Sequence, residues 1–112
     1  SGNEAWGVFL YGSYGQCDGN TITDCTISGN EAWGVYLYGW LGQCVGNTIQ
    51  GNTISKNTDK GIYLYYAVGN RIEANHVTET TGDPSYGIYT SVSENNVILK
   101  NTCIGQANNF SL

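Results

Sequence analysis

Hydrophobic and polar residues alternate along this chain in short bursts. Gly7-Val8-Phe9-Leu10-Tyr11, Gly34-Val35-Tyr36-Leu37-Tyr38, Gly61-Ile62-Tyr63-Leu64-Tyr65 and Gly87-Ile88-Tyr89-Thr90 each follow a period of two. Shorter runs around Asn20-x-Ile22, Asn47-x-Ile49, Asn70-x-Ile72 and Asn96-x-Ile98 do the same. Side chains two apart share one face of a strand, so each burst predicts a short β-strand. A helix needs about ten residues at a period of 3.6, and no segment sustains that. The pattern predicts an all-β protein.

The bursts recur because the sequence repeats itself. Residues 1–27 and 28–54 are identical at 20 of 27 aligned positions. A third copy spans 55–77, a fourth 78–103, and the tail 104–112 begins a fifth. Three anchors run through the copies: the glycine-led strand, the Asn-x-Ile run, and a further pair at Cys25/Ile27, Asn52/Ile54, Asn75/Val77 and Asn101/Cys103. The glycine-to-Asn spacing is 13 residues in the first two copies and 9 in the next two, which places loops in a basic coil of about 23 residues. A further short loop is expected near Gly82–Pro84. Insertions confined to loops mark a solenoid, in which each repeat buries its apolar positions only against its neighbours.

Stacking the copies lines up four inward columns. They are Val8/Val35/Ile62/Ile88, Leu10/Leu37/Leu64, Ile22/Ile49/Ile72/Ile98 and Ile27/Ile54/Val77/Cys103. The recurring Asn belongs at the corners, where it tolerates left-handed backbone and its amide reaches the Asn one coil away. Asn20/Asn47/Asn70/Asn96 form one predicted ladder. Asn52/Asn75/Asn101 form a second, with Cys25 in the first place, and Asn3/Asn30/Asn57 a third, continued by Thr80 and Gln106.

The pattern N-x-I-x-x-N-x-I followed by G-I-x-L resembles the right-handed parallel β-helix repeat. That repeat occurs in carbohydrate-active lyases and epimerases, in the periplasmic β-helix protein of nitrous-oxide reductase maturation, and in archaeal and bacterial surface proteins. The resemblance covers essentially the whole chain. It implies one single-stranded right-handed β-helix domain over residues 1–112, of about four coils of 23–27 residues with no obvious caps. The matching residues are core and corner residues, so the resemblance implies a fold and no particular chemistry.

Composition narrows the function classes. The four cations Lys56, Lys60, Arg71 and Lys100 are scattered in a chain of net charge −5, which argues against nucleic acid as a partner. No apolar run is long enough to span a membrane. Hydrophobic residues make up 40%, too many for a disordered chain. Glu4 and Glu31 share a column, but both lie in the duplicated SGNEAWG segment, and duplication explains the pairing. Asp59, Asp83 and Glu79 fall in turn-like sequence and are expected to be solvated. His76 is the lone histidine, and copper binding finds no methionine and no histidine cluster here. No catalytic residue, metal or cofactor is assigned, and an enzyme is disfavoured.

The outward positions carry the remaining signal. Phe9, Tyr36, Tyr63 and Tyr89 form one aromatic column, and Tyr11, Tyr38 and Tyr65 a second. Trp6 and Trp33 begin a third, with Lys60 next in register over the indole face. Such a face stabilises the sheet, docks a protein, or stacks on sugar rings. Three functions follow. The first is an extracellular or cell-surface structural module that associates with itself, end to end into a fibre or surface layer, through its tyrosine face, or both. The second is a carbohydrate-binding or carbohydrate-processing module with polysaccharide as partner. The third is an excised or designed scaffold. The uncapped coils favour the first or the third.

Cys17 and Cys44 occupy the same place in GQCDGN and GQCVGN of adjacent coils, within reach of a disulfide in an oxidising compartment. Cys25 and Cys103 lie about three strand spacings apart and cannot pair within one molecule. Cys103 takes an isoleucine position and is expected to be buried.

Overall fold

A computed structural model describes all 112 residues. Coil one contributes β1 (Val8–Tyr11), β2 (Thr21–Thr23) and β3 (Thr26–Ser28). Coil two contributes β4 (Val35–Tyr38), β5 (Thr48–Gln50) and β6 (Thr53–Ser55). Coil three gives β7 (Thr58–Tyr65), β8 (Arg71–Glu73) and β9 (His76–Thr78). Coil four gives β10 (Thr81–Ser91), β11 (Val97–Leu99) and β12 (Thr102–Ile104), and the tail gives β13 (Asn108–Ser111). The strands stack into three parallel sheets: β1-β4-β7-β10-β13, β2-β5-β8-β11 and β3-β6-β9-β12. The protein is an all-β solenoid of about four turns. No helix is long and apolar enough to cross a membrane.

Register follows the repeat. Val8 pairs with Val35, Val35 with Ile62, and Ile62 with Ile88. Ile22, Ile49, Ile72 and Ile98 are aligned on the second sheet, and Ile27, Ile54, Val77 and Cys103 on the third. These columns fill the interior, with Val35, Leu37, Ile49, Ile54, Ile62, Leu64, Ile72, Val77 and Ile88 fully buried. Burying this apolar surface between coils is the main source of stability, because no coil has a core of its own.

The asparagine ladders close the corners. Asn20 donates from its backbone N and its Nδ2 to Asn47 Oδ1 at 2.8 and 3.0 Å. Asn47 donates in the same way to Asn70, and Asn70 to Asn96. The second ladder runs from the Cys25 backbone through Asn52 and Asn75 to Asn101. The third joins Asn3, Asn30 and Asn57. It resumes where Thr80 donates to Gln106 Oε1 at 3.2 Å.

Two local expectations are corrected. The left-handed conformation does not fall on the ladder asparagines but on the residue before each. Gly19, Gly46, Gly69 and Asn95 precede the first ladder with φ of 69, 68, 67 and 55°. Asp24, Gly51, Ala74 and Lys100 precede the second with φ of 52, 68, 55 and 55°. The left-handed residue turns the chain, which aims the next side chain into the interior. The loop expected near Gly82–Pro84 lies within strand β10. It is absorbed as a register shift between Thr81 and Tyr86.

Candidate functional site

The first sheet turns its second face outward, and that face is paved with rings. Phe9 and Tyr36 stack with centroids 5.0 Å apart, and Tyr36 and Tyr63 with centroids 4.9 Å apart. Tyr89 meets Tyr63 edge-on at 5.2 Å. The second column, Tyr11, Tyr38 and Tyr65, stacks at 5.5 and 5.6 Å. Trp6 and Trp33 stand 6.0 Å apart at the near edge. Trp33 packs its edge against Tyr36 at 4.4 Å and Tyr63 at 4.9 Å. All nine aromatic residues picked out by the repeat are thus brought onto one face by the parallel register.

Their burial differs from a simple outward reading. Tyr36 is only 7% exposed, because its neighbours in all three columns cover it. Burial pushes its phenol well above the ordinary value, and Tyr63, Tyr38 and Tyr65 add to the effect. The Tyr63 phenol is pushed up to about 12, first by burial and then by Tyr89, Tyr65 and Asp59. Tyr11, by contrast, is 54% exposed.

Lys60 takes the tryptophan position in the third coil, as its register implies. Its Nζ lies 5.3 Å from the Trp33 centroid, 4.8 Å from Tyr63 and 5.0 Å from Tyr89. Tyr86, 5.5 Å away, completes the cage. It was missed as a site residue, although it precedes Gly87 as Lys60 precedes Gly61. Asp59 is not a merely solvated turn residue. Its Oδ2 accepts from Lys60 Nζ at 2.7 Å and from Trp33 Nε1 at 3.0 Å. The ion pair and the rings hold one cation in place and leave this part of the face neutral.

The inserted loops of the first two coils stand beside this face. Tyr14 N donates to Leu41 O at 3.0 Å, so the loops stack like the strands. Tyr14 is 77%, Leu41 53% and Trp40 40% exposed. Tyr14 and Leu41 both hold a left-handed backbone, with φ of 57 and 59°. That costs an ordinary side chain about 1–2 kcal/mol and lifts these two outward.

The predicted Cys17–Cys44 disulfide is not formed; all four cysteines are free thiols. Cys17 N donates to Gln43 O at 2.9 Å, so the two residues sit in register on adjacent coils. Cys103 is buried as its column implies, and burial pushes its thiol up to about 11.

The family model described as periplasmic copper-binding protein (NosD) matches residues 1–112, the whole chain. The chain belongs to the NosD family. No curated protein and no solved structure gives a significant match. Membership agrees with the solenoid and with the β-helix resemblance, and a periplasmic family accords with a location in the envelope or outside the cell. As for copper, this NosD-family chain holds no methionine and no group of three or more His, Cys, Asp or Glu suited to a metal. His76 is exposed with no second histidine to join it. Cys17 and Cys44 are the one place where two soft donors stand side by side.

Proposed function

We propose that this solenoid is a structural module of the envelope or cell exterior that associates with further copies of itself through its aromatic face. The observation that carries this reading is the neutral aromatic slab beside an exposed edge of Tyr11, Tyr14, Trp40 and Leu41. Aromatic residues are enriched in protein interfaces and charged residues depleted at their cores. Within the slab Lys60 and Asp59 pair at 2.7 Å and neutralise each other.

Ring orientation favours this reading over sugar stacking. Rings stacked along the solenoid axis cover each other's faces and turn their edges outward, whereas a sugar needs an open ring face.

Sedimentation of the native chain over a concentration series tests the proposal. Reversible dimers or larger species are expected, and Tyr11→Ser, Tyr14→Ser, Trp40→Ser and Leu41→Ser together are expected to return the monomer without loss of fold. A native chain that remains monomeric at the highest concentration overturns it. Binding to a polysaccharide panel that is lost in the same variant would favour the carbohydrate reading instead.

A further inference from the structure

We propose that the aromatic face is a relay for one-electron oxidation, in which an electron lost from Trp6 or Trp33 is replaced through Tyr36 and Tyr38 by one from Tyr11, where the radical emerges and couples to a second tyrosine. Indoles and phenols are the side-chain rings most readily oxidised by one electron, and here they form an unbroken path. Ring centroids lie 4.4 Å apart from Trp33 to Tyr36, 5.5 Å from Tyr36 to Tyr38, and 5.5 Å from Tyr38 to Tyr11. Phe9 interrupts the column. It touches Trp6 at 4.5 Å and Tyr11 at 5.4 Å, but its ring has no hydroxyl and is not oxidised at these potentials. Of the rings packed on Tyr11, Phe9 and Tyr38, only Tyr38 passes an electron.

The two ends of the path differ, and the difference gives it a direction. Trp6 Nε1 is buried and has no hydrogen-bond partner. An indole there that loses an electron has no acceptor for its proton, so it stays a radical cation and oxidises its neighbours Trp33 and Tyr36, at 6.0 and 6.2 Å. Trp33 Nε1 donates to Asp59 Oδ2 at 3.0 Å, which sets a carboxylate beside the second indole. Burial holds the Tyr36 phenol well above its ordinary value, so Tyr36 parts with its proton less readily than a solvated phenol and hands the radical on. Tyr11 is exposed and gives its proton to water. Lys60 Nζ stands 4.8 Å from Tyr63 and 5.0 Å from Tyr89, and its charge opposes removal of an electron from those rings of coils three and four.

The steps balance. A one-electron oxidant of the inorganic-radical class takes one electron from an indole and is reduced. The indole regains that electron from Tyr11 by way of Tyr36 and Tyr38, and Tyr11 releases one proton to water and becomes a neutral phenoxyl radical. Two such radicals, from Tyr11 of two chains, form one carbon–carbon bond between ring positions ortho to oxygen. Each ortho hydrogen then moves to its oxygen as the ring becomes aromatic again. Two electrons go to the oxidant and two protons to water for each dityrosine formed. An oxidising equivalent is thereby spent on a surface cross-link, and the rings that hold the first sheet are spared.

Azide radicals, generated by pulse radiolysis and selective for indoles, test the relay in a Tyr14→Phe, Trp40→Phe chain, whose remaining tryptophans are Trp6 and Trp33. In dilute protein the indolyl absorbance is expected to pass into phenoxyl absorbance in a first-order step whose rate does not change with protein concentration. Peptide mapping of the oxidised chain is expected to place dityrosine at Tyr11. Tyr38→Phe should keep the loss of indolyl radical, which then stops at Tyr36, and should lose the dityrosine at Tyr11. Phe9→Tyr added to Tyr38→Phe should restore it, because position 9 packs against Trp6, Tyr36 and Tyr11 at 4.5, 5.0 and 5.4 Å. Far-UV circular dichroism confirms that the variants keep the fold. A transfer rate that rises in proportion to protein concentration, dityrosine at Tyr11 undiminished by Tyr38→Phe, or no rescue by Phe9→Tyr overturns the proposal. The first-order step lies within one chain, so it stands or fails apart from the association proposed above.

Discussion

Phe9 and Tyr36 lie face to face, their ring centroids 5.0 Å apart and their planes 7° from parallel. The contact joins coil one to coil two on the outside of the sheet, as Val8 and Val35 join them on the inside. The first sheet is thus gripped from both faces. Aromatic pairs of this kind contribute about 0.5–1.5 kcal/mol each beyond their buried area.

Tyr36→Ala is therefore expected to destabilise the fold by about 3–5 kcal/mol, in the range for truncating a buried large aromatic side chain. Tyr11→Ala, at an exposed end of the neighbouring column, should cost less than about 1 kcal/mol. Urea unfolding of the two variants checks the contrast, and equal losses would show that the columns are not graded by burial.

Alkaline pH should loosen the same face. The folded Tyr63 phenol is raised to about 12, and that of Tyr36 is raised further, from an ordinary value near 10. A folded pKa above the unfolded one means that the unfolded chain gives up its protons first. The stabilisation is complete below pH ~10 and is lost as pH climbs toward 12. Melting temperature followed together with phenolate absorbance should show unfolding and ionisation of these two tyrosines within that window. Tyr36→Phe, Tyr63→Phe should shift the loss to higher pH.

Removing one ladder rung tests the corners. Asn52 Nδ2 donates to Ile22 O at 2.9 Å, and Asn52 Oδ1 accepts from Cys25 N at 2.9 Å. Asn52→Ala removes both of these bonds together with the rung to Asn75 Oδ1, at an expected cost of about 3 kcal/mol, since each lost buried partner costs about 1–3 kcal/mol. Amide hydrogen exchange should rise first at Cys25 and at the residues of β2 and β3.

Ala74 offers a test in the stabilising direction. It holds a left-handed backbone at φ 55° in the corner between β8 and β9, where coil two has Gly51. Relief of about 1–2 kcal/mol of strain exceeds the roughly 0.5–1 kcal/mol of added unfolded-chain entropy. Ala74→Gly should therefore raise stability by about 0.5–1 kcal/mol in thermal or denaturant unfolding.

Much of this architecture was legible because the repeat does the alignment. Once Gly7, Gly34, Gly61 and Gly87 were set in register, the four core columns and the nine aromatic residues followed. What escaped was set by relations the repeat does not state. Tyr86 was hidden because a bulge separates it from its coil's earlier residues, and Asp59 because its partner Trp33 comes from the preceding coil. The corner conformation was assigned one residue late: Asn95 shows that asparagine can hold it, but Asp24, Lys56, Ala74 and Lys100 hold it too. Side-chain identity alone did not mark those positions. The bridge expected between Cys17 and Cys44 is not formed, although the repeat sets the two residues at the same place in adjacent coils.

The ladders also give the solenoid a direction. Each Oδ1 accepts from the coil before it, and each backbone N of a ladder asparagine donates to the coil after it. The side-chain carbonyl dipoles of these rows therefore point the same way and add rather than cancel. The long axis is electrically a vector, so a charge carried along the interior corner meets a gradient and not a symmetric well.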